Sequence, residues 1–239
     1  MFSPHATFFG AATVSRQLER GRVPHAGCCA GDADDGVLEC AACGAALIHA
    51  QYHSGMAAAL PKKPDGLTYQ SEFITRDAEK ELVARIEELS FNEVRMHGVV
   101  ARRTVIHYGY DYDYSGWKIV PSDPPPQWLE PLLVCCANAA RIERESLKQF
   151  LIARYPPDAT IGWHRDAPMF GTPVIGISLL TWCAMNFRLG PGKEKYVQLL
   201  EPRSLYILDR AARTQWQHSI PKMKELRYSI TMRTLRKRD

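Results

Sequence analysis

The chain has 239 residues, 46% of them apolar or aromatic, with a formal charge of +4. That is ample for one full domain with its own core, and it excludes a charge extreme enough to name a partner unaided. No stretch reaches the roughly 18 consecutive apolar residues of a membrane span, so no membrane partner is expected.

The N-terminus lacks the basic region and apolar core of a secretory signal, although Arg and Ser precede its first acid, Glu19, and leave a transit peptide open. Seven cysteines, an odd number, read as reduced thiols. A cytoplasmic monomer is the expectation, with nuclear or organellar placement left open.

Residues 1–60 are rich in Ala, Gly and small polar groups, carry no sustained period, and are expected to form a low-order extension. Cys40 and Cys43 have zinc-knuckle spacing, but their partner half would be the adjacent Cys28 and Cys29. Scattered thiols are therefore the expectation, and a small zinc site the alternative.

A domain is expected over 64–236. Thr75 can cap a helix over 76–90, with Asp77 and Glu79 in its first turn and Leu82, Val83, Ile86 and Leu89 as its apolar stripe. Residues 94–114 read as strands punctuated by Gly98 and Gly109. Pro121 to Pro126 break regular structure, and a second helix is expected over 126–145. From 149 onward come short strand-like runs, 149–154, 160–164, 172–181, 185–189, 196–200, 204–208, 216–220 and 227–235, separated by Pro- and Gly-bearing turns. Two helices followed by many short strands predict an α+β, mainly β domain, a sandwich or barrel with helical support. No repeat, heptad, P-loop or G-x-G-x-x-G is present.

Chemistry concentrates in the second half. His164 and Asp166 are two apart, which in a strand puts both on one face, and His218 follows much later. Two imidazoles and one carboxylate on one ion leave open positions, the pattern of non-haem Fe(II) sites. An H-x-D pair also arises by chance. The terminal strand adds a second signal. Arg227, Ser229, Thr231 and Arg233 share one face, and Tyr228, Ile230 and Met232 the other. The two arginine backbones would lie about 20 Å apart, close enough for long side chains to converge on a small dicarboxylate. An edge strand with solvated arginines is the alternative. Tyr155 ends the strand before His164, and its phenol could donate to a bound carboxylate.

Assembled, these blocks resemble the AlkB family of Fe(II)/2-oxoglutarate dioxygenases. The resemblance covers about 64–236 and rests on Arg154-Tyr155-Pro156-Pro157, Ile161-Gly162-Trp163-His164-Arg165-Asp166, Trp216-Gln217-His218-Ser219-Ile220 and Arg227 through Arg233. It implies a double-stranded β-helix (jelly roll) with flanking N-terminal helices. It implies Fe(II) on His164, Asp166 and His218, and 2-oxoglutarate on Arg227 and Tyr155 with Arg233 near its proximal carboxylate. The implied reaction is oxidative dealkylation of N-alkylated nucleobases in DNA or RNA, releasing succinate, CO2 and an aldehyde. The family often has asparagine where Ala153 and Ser229 stand.

On the substrate side, Tyr108, Tyr110, Tyr112, Tyr114 and Trp117 form an aromatic run suited to stacking on a flipped or single-stranded base. Arg102, Arg103 and the basic C-terminus could contact phosphates, and Trp163 and Arg165 are expected to flank the site. Two rival readings keep the fold: a 2-oxoglutarate dioxygenase acting on protein or a small molecule, and a non-catalytic nucleic-acid-binding jelly roll.

Overall fold

The computed structural model describes residues 62–96, 99–113, 118–190 and 195–236. The extension over 1–60, with Cys28, Cys29, Cys40 and Cys43, lies outside the described residues, as do residues 114–117.

The elements run β1 (Leu67–Gln70), α1 (Arg76–Glu87), β2 (Asn92–Met96), β3 (Val99–Tyr108), β4 (Tyr110–Asp113), β5 (Lys118–Pro121), α2 (Glu130–Ala140) and β6 (Leu147–Tyr155). There follow β7 (Ile161–His164), β8 (Phe170–Leu179), β9 (Cys183–Arg188), β10 (Lys195–Leu200), β11 (Leu205–Leu208), α3 (Arg210–Thr214), β12 (Gln217–Ile220) and β13 (Arg227–Leu235). A seven-stranded sheet is ordered β1-β11-β8-β13-β6-β3-β2 and a four-stranded one β10-β9-β12-β7, with β4 and β5 as a separate hairpin. The two larger sheets form the jelly roll, and α1 and α2 pack on the outer face of the seven-stranded one.

Alternation along the strands builds two apolar layers. Phe150 and Ile152 of β6 and Tyr228, Ile230 and Met232 of β13 face the helices, where Leu82, Ile86, Leu129 and Leu133 cover them. Leu151, Ala153 and Tyr155 face the other way and meet Val174, Phe187, Leu200 and Trp216 between the sheets. Each large aliphatic so buried contributes about 1.5–3 kcal/mol. β13 lies between β8 and β6, so it is a central strand, and its polar face looks into the protein.

α1 starts as expected, the Thr75 hydroxyl accepting from the Ala78 amide at 3.1 Å. It is anchored to the barrel by Arg203, which donates to Glu79 at 3.1 Å and also pairs with Glu72. The second helix is shorter than its pattern. A 3-10 turn over Gln127–Leu129 precedes it, and Arg141 in the left-handed region (φ 56°) ends it, after which Arg144 folds back onto Glu130 at 2.6 Å. The strands β1 and β5 and the one-turn α3 lack a sequence signal of their own. Asp209 starts α3 by accepting from the Arg210 amide at 2.7 Å.

Gly176 in β8 has a packing role that its sequence does not announce. It pairs with Tyr206 of β11 on one side and Thr231 of β13 on the other. The Tyr206 ring lies where a Gly176 side chain would project, and its phenol hydrogen-bonds Thr231. Gly176→Ala should therefore overpack the inter-sheet layer by about 1–3 kcal/mol. A thermal melt should show Tm falling by roughly 2–4 °C per kcal/mol; an unchanged Tm would show that the ring moves aside freely.

Candidate metal centre and active site

The three expected metal ligands converge from two separate stretches. His164 ends β7 and His218 lies in β12, and the two are cross-strand partners with ring centroids 4.3 Å apart. Asp166 lies two residues past the end of β7, so strand alternation does not place it as the sequence suggests. It is brought in instead by Arg233 of the other sheet. Arg233 Nε and Nη2 both donate to Asp166 Oδ1 at 2.7 Å, and Nη1 donates to Gln149 Oε1 at 2.7 Å. Asp166 Oδ2 lies 3.9 Å from His218 Nε2. No group of three or more His, Cys, Asp or Glu side chains among the described residues is arranged as it stands to hold a metal ion; the fold supplies these three as neighbours with the right donor types.

The donor chemistry suits a divalent ion, which requires neutral imidazole and ionised carboxylate. Burial first, then His164 and the nearby arginines against the opposing pull of Asp166, lower His218 to about 3. His164 is lowered mainly by burial, and its Nδ1 lies 2.8 Å from the Gly162 carbonyl. A proton on Nδ1 donated there leaves Nε2 as the ligating atom, the usual arrangement of a metal-bound histidine. Burial opposes ionisation of Asp166, yet Arg233, ahead of His218, His164 and Arg213, holds its carboxyl well below the usual carboxylate range.

Arg227 lies on the same inner face of β13. It is 2% exposed, donates from Nε to Ser178 Oγ at 3.0 Å, and its guanidinium carbon lies 5.3 Å from the Tyr155 ring centroid. It also hydrogen-bonds Cys183. Arg227, Arg233, Tyr155, His164, Asp166 and His218 line one cavity. Ala153 and Ser229 are paired across β6 and β13 and line it too. The same wall holds residues that sequence reasoning missed. Tyr206, its phenol pushed up to about 12 by burial against the lowering effect of Arg227, is a hydrogen-bond donor at any ordinary pH. Gln149 and Ser178 orient the two arginines. The inward alternation of β6 and β8 was the available signal for these two.

Residues 66–236 match the 2OG-Fe(II) oxygenase superfamily. The chain belongs to that superfamily. It is 27% identical over 189 residues to uncharacterized protein L905 of Acanthamoeba polyphaga mimivirus, covering 73% of this chain and 87% of that one. It is 28% identical over 167 residues to the tRNA (carboxymethyluridine(34)-5-O)-methyltransferase alkbh8 of Xenopus tropicalis, covering 67% of this chain and 26% of that protein. Among solved structures it resembles OsALKBH1 with a TM-score of 0.58 at 14% identity, covering 72% of this chain and 98% of that one. It also resembles a Pseudomonas putida prolyl-4-hydroxylase with a TM-score of 0.51 at 15% identity, covering 72% and 93%. These structures share the fold, and the similarity to alkbh8 fits the AlkB resemblance of the sequence blocks.

Iron and 2-oxoglutarate are the cofactors of this superfamily, and the residues present fit both. His164, Asp166 and His218 would hold the ion, which with dioxygen and 2-oxoglutarate supplies the oxidising power. Arg227, fixed by Ser178 and flanked by Tyr155, presents a buried cation to a carboxylate. Arg233 keeps Asp166 ionised and fixes its orientation. The apolar walls around them, Met185, Leu200 and Ile220, keep water from the reacting centre.

The expected substrate residues are only partly gathered. Tyr108 is packed against the outer helical layer, on the face away from the metal ligands, so it is not a stacking residue for this cavity. Tyr110 opens β4 half-buried. Tyr112 is in β4 opposite Ile119, with its side chain not among the described features, and Tyr114 and Trp117 lie outside the described residues. His107, at the end of β3, pairs with Asp111 of β4 and so fastens the hairpin to the barrel. Trp163 projects outward beneath Arg188, whose guanidinium carbon is 4.4 Å from the ring centroid. Arg165 donates to the Thr214 carbonyl at 3.3 Å.

Three outcomes follow from this geometry. His164→Ala should abolish both turnover and iron retention in a metal assay, and activity retained with full iron would overturn the ligand assignment. Arg227→Met should raise KM for 2-oxoglutarate roughly 10- to 100-fold, the range of a charge-assisted hydrogen bond, as read by succinate formation. The folded pKa of His218, about 3, lies below the ordinary value of about 6.5. The unfolded chain therefore binds a proton there that the folded one refuses. For chelator-treated protein, stability should be full above about pH 6.5 and decline toward pH 3, and Asp166 adds loss of the same sign below about pH 4. Urea midpoints across that range test this, and His218→Asn should flatten the upper part of the profile.

Proposed function

We propose that this oxygenase removes alkyl groups oxidatively from nucleobases in DNA or RNA. The observation that carries the reading is the setting of the metal ligands. On one side, the β4–β5 hairpin, whose sequence carries Tyr110 and Tyr112, is fastened to the end of β3 through His107 and Asp111. On another, a cleft adjoining Asp166 is lined by Arg165, Arg213 and Arg236 together with Thr172 and Thr214. Tyrosines carried on such a hairpin would suit a base taken out of its stack, and guanidinium groups along a cleft that adjoins Asp166 would suit phosphates. Similarity to a relative named for tRNA modification supports the same class.

The prolyl-4-hydroxylase that shares the fold supports a second reading, oxidation of a peptide. The two differ in product. With Fe(II), 2-oxoglutarate and a panel of N-methylated oligonucleotides, the first gives formaldehyde in proportion to succinate. Succinate formed only with peptide substrates would favour the second. Oligonucleotide binding without iron uptake would reduce the protein to a binding module.

A further inference from the structure

We propose that Arg103 reads the substrate, donating to a carbonyl oxygen of a neutral N-alkylated base, so that the enzyme prefers neutral lesions to cationic ones. The inference rests on the nucleobase reading above and narrows its substrate class.

Arg103 lies on the inner face of β3. One step beyond the paired residues Thr104 and Arg154, it is level with Tyr155 of β6, which is itself paired with Arg227 of β13. The Tyr155 ring thus has a guanidinium on each neighbouring strand, Arg227 at 5.3 Å and Arg103 at 6.0 Å. Arg227 is occupied by Ser178. Arg103 differs: it is 8% exposed, lines the cavity with His164 and Asp166, and its buried Nε has no hydrogen-bond partner. Carboxylates of the surrounding elements are engaged elsewhere, Asp166 with Arg233, Asp158 with Arg102 and Asp111 with His107.

A buried guanidinium with an unanswered donor is destabilising unless a ligand completes it. Its position indicates which ligand. It lines the cavity with His164 and Asp166 and shares the inward face of β3 with His107, which fastens the substrate-side hairpin. The Tyr155 ring separates it from the Arg227 anchor. It is therefore set apart from the co-substrate anchor, on the β3 side of that ring.

The charge then discriminates. Arg233 is matched by Asp166, whereas no described carboxylate matches Arg103. A base made cationic by N-alkylation, such as 1-methyladenine or 3-methylcytosine, would bring a like charge into a poorly solvated space. A neutral base such as 3-methylthymine offers carbonyl oxygens that would satisfy the orphaned donor.

The test uses the full chain with Fe(II) and 2-oxoglutarate, and three otherwise identical single-stranded oligonucleotides carrying 3-methylthymine, 1-methyladenine or 3-methylcytosine. Formaldehyde release gives kcat/KM, fluorescence anisotropy gives oligonucleotide Kd, and a separate titration gives 2-oxoglutarate Kd. Wild-type protein should favour 3-methylthymine. Arg103→Met should lower kcat/KM for it roughly 10- to 100-fold, chiefly through KM and with Kd weakened in parallel. The cationic substrates should be unaffected or improved, and 2-oxoglutarate Kd unchanged. Arg103→Lys should recover part of the loss. A wild-type preference for the cationic bases overturns the inference, as does an Arg103→Met variant with an unaltered substrate ratio. A variant that loses 2-oxoglutarate affinity instead makes Arg103 a co-substrate anchor and overturns it too. Wild-type protein that releases formaldehyde from none of the three overturns the nucleobase reading itself, and this inference with it.

Discussion

The ion pair between Arg233 and Asp166 is the constraint around which the site is arranged. Asp166 lies two residues beyond the end of β7 and has no ladder of its own to fix it. Its buried carboxylate is unfavourable unless matched. Two 2.7 Å contacts from a guanidinium on the opposite sheet supply the match, and Gln149 keeps that guanidinium from turning away. One carboxylate oxygen is thereby committed to arginine, and the other faces His218. The ligands thus come from the smaller sheet and the turn after β7, while the group that fixes the carboxylate comes from the larger sheet.

This places unusual demands on β13. Its outward side chains, Tyr228, Ile230 and Met232, are fully part of the helix-covered layer. Its inward ones, Arg227, Ser229, Thr231 and Arg233, line the cavity. Hydrogen-bonded ladders on both sides, to β6 and β8, hold the strand still. Two cations can therefore be kept at fixed positions along it without a loop having to fold around them. The histidines come from the smaller sheet, so metal and co-substrate walls face each other across the space between the layers.

Much of this was legible in the chain because it follows local periodicity. The 3.6-residue stripe and Thr75 cap marked α1, and alternation marked β13 with both its faces. The paired residue types His164, Asp166 and His218 named the chemistry. What escaped depends on pairing between distant strands. Nothing near Asp166 in sequence announces Arg233, and nothing near Gly176 announces the Tyr206 ring that crosses it. Tyr108 was misjudged for a related reason. An aromatic run looks uniform in sequence, but alternate members of a strand face opposite ways, and Tyr108 points to the helices while His107 faces the cavity side. The early end of α2 came from Arg141 adopting a left-handed conformation, which arginine does not advertise as glycine would.

The direct pairing of His164 with His218 ties cofactor loading to the integrity of the smaller sheet. β7 is a four-residue strand at that sheet's margin, with few ladder bonds to retain it. A slip of one residue in β7 would turn the His164 imidazole to the opposite face, away from His218 on β12. Any ion shared by them stabilises the correct alignment by mass action. Occupancy of the centre and closure of this edge of the smaller sheet are consequently one equilibrium seen from two ends, and starvation for the metal should loosen that margin before it disturbs the strands beneath the helices.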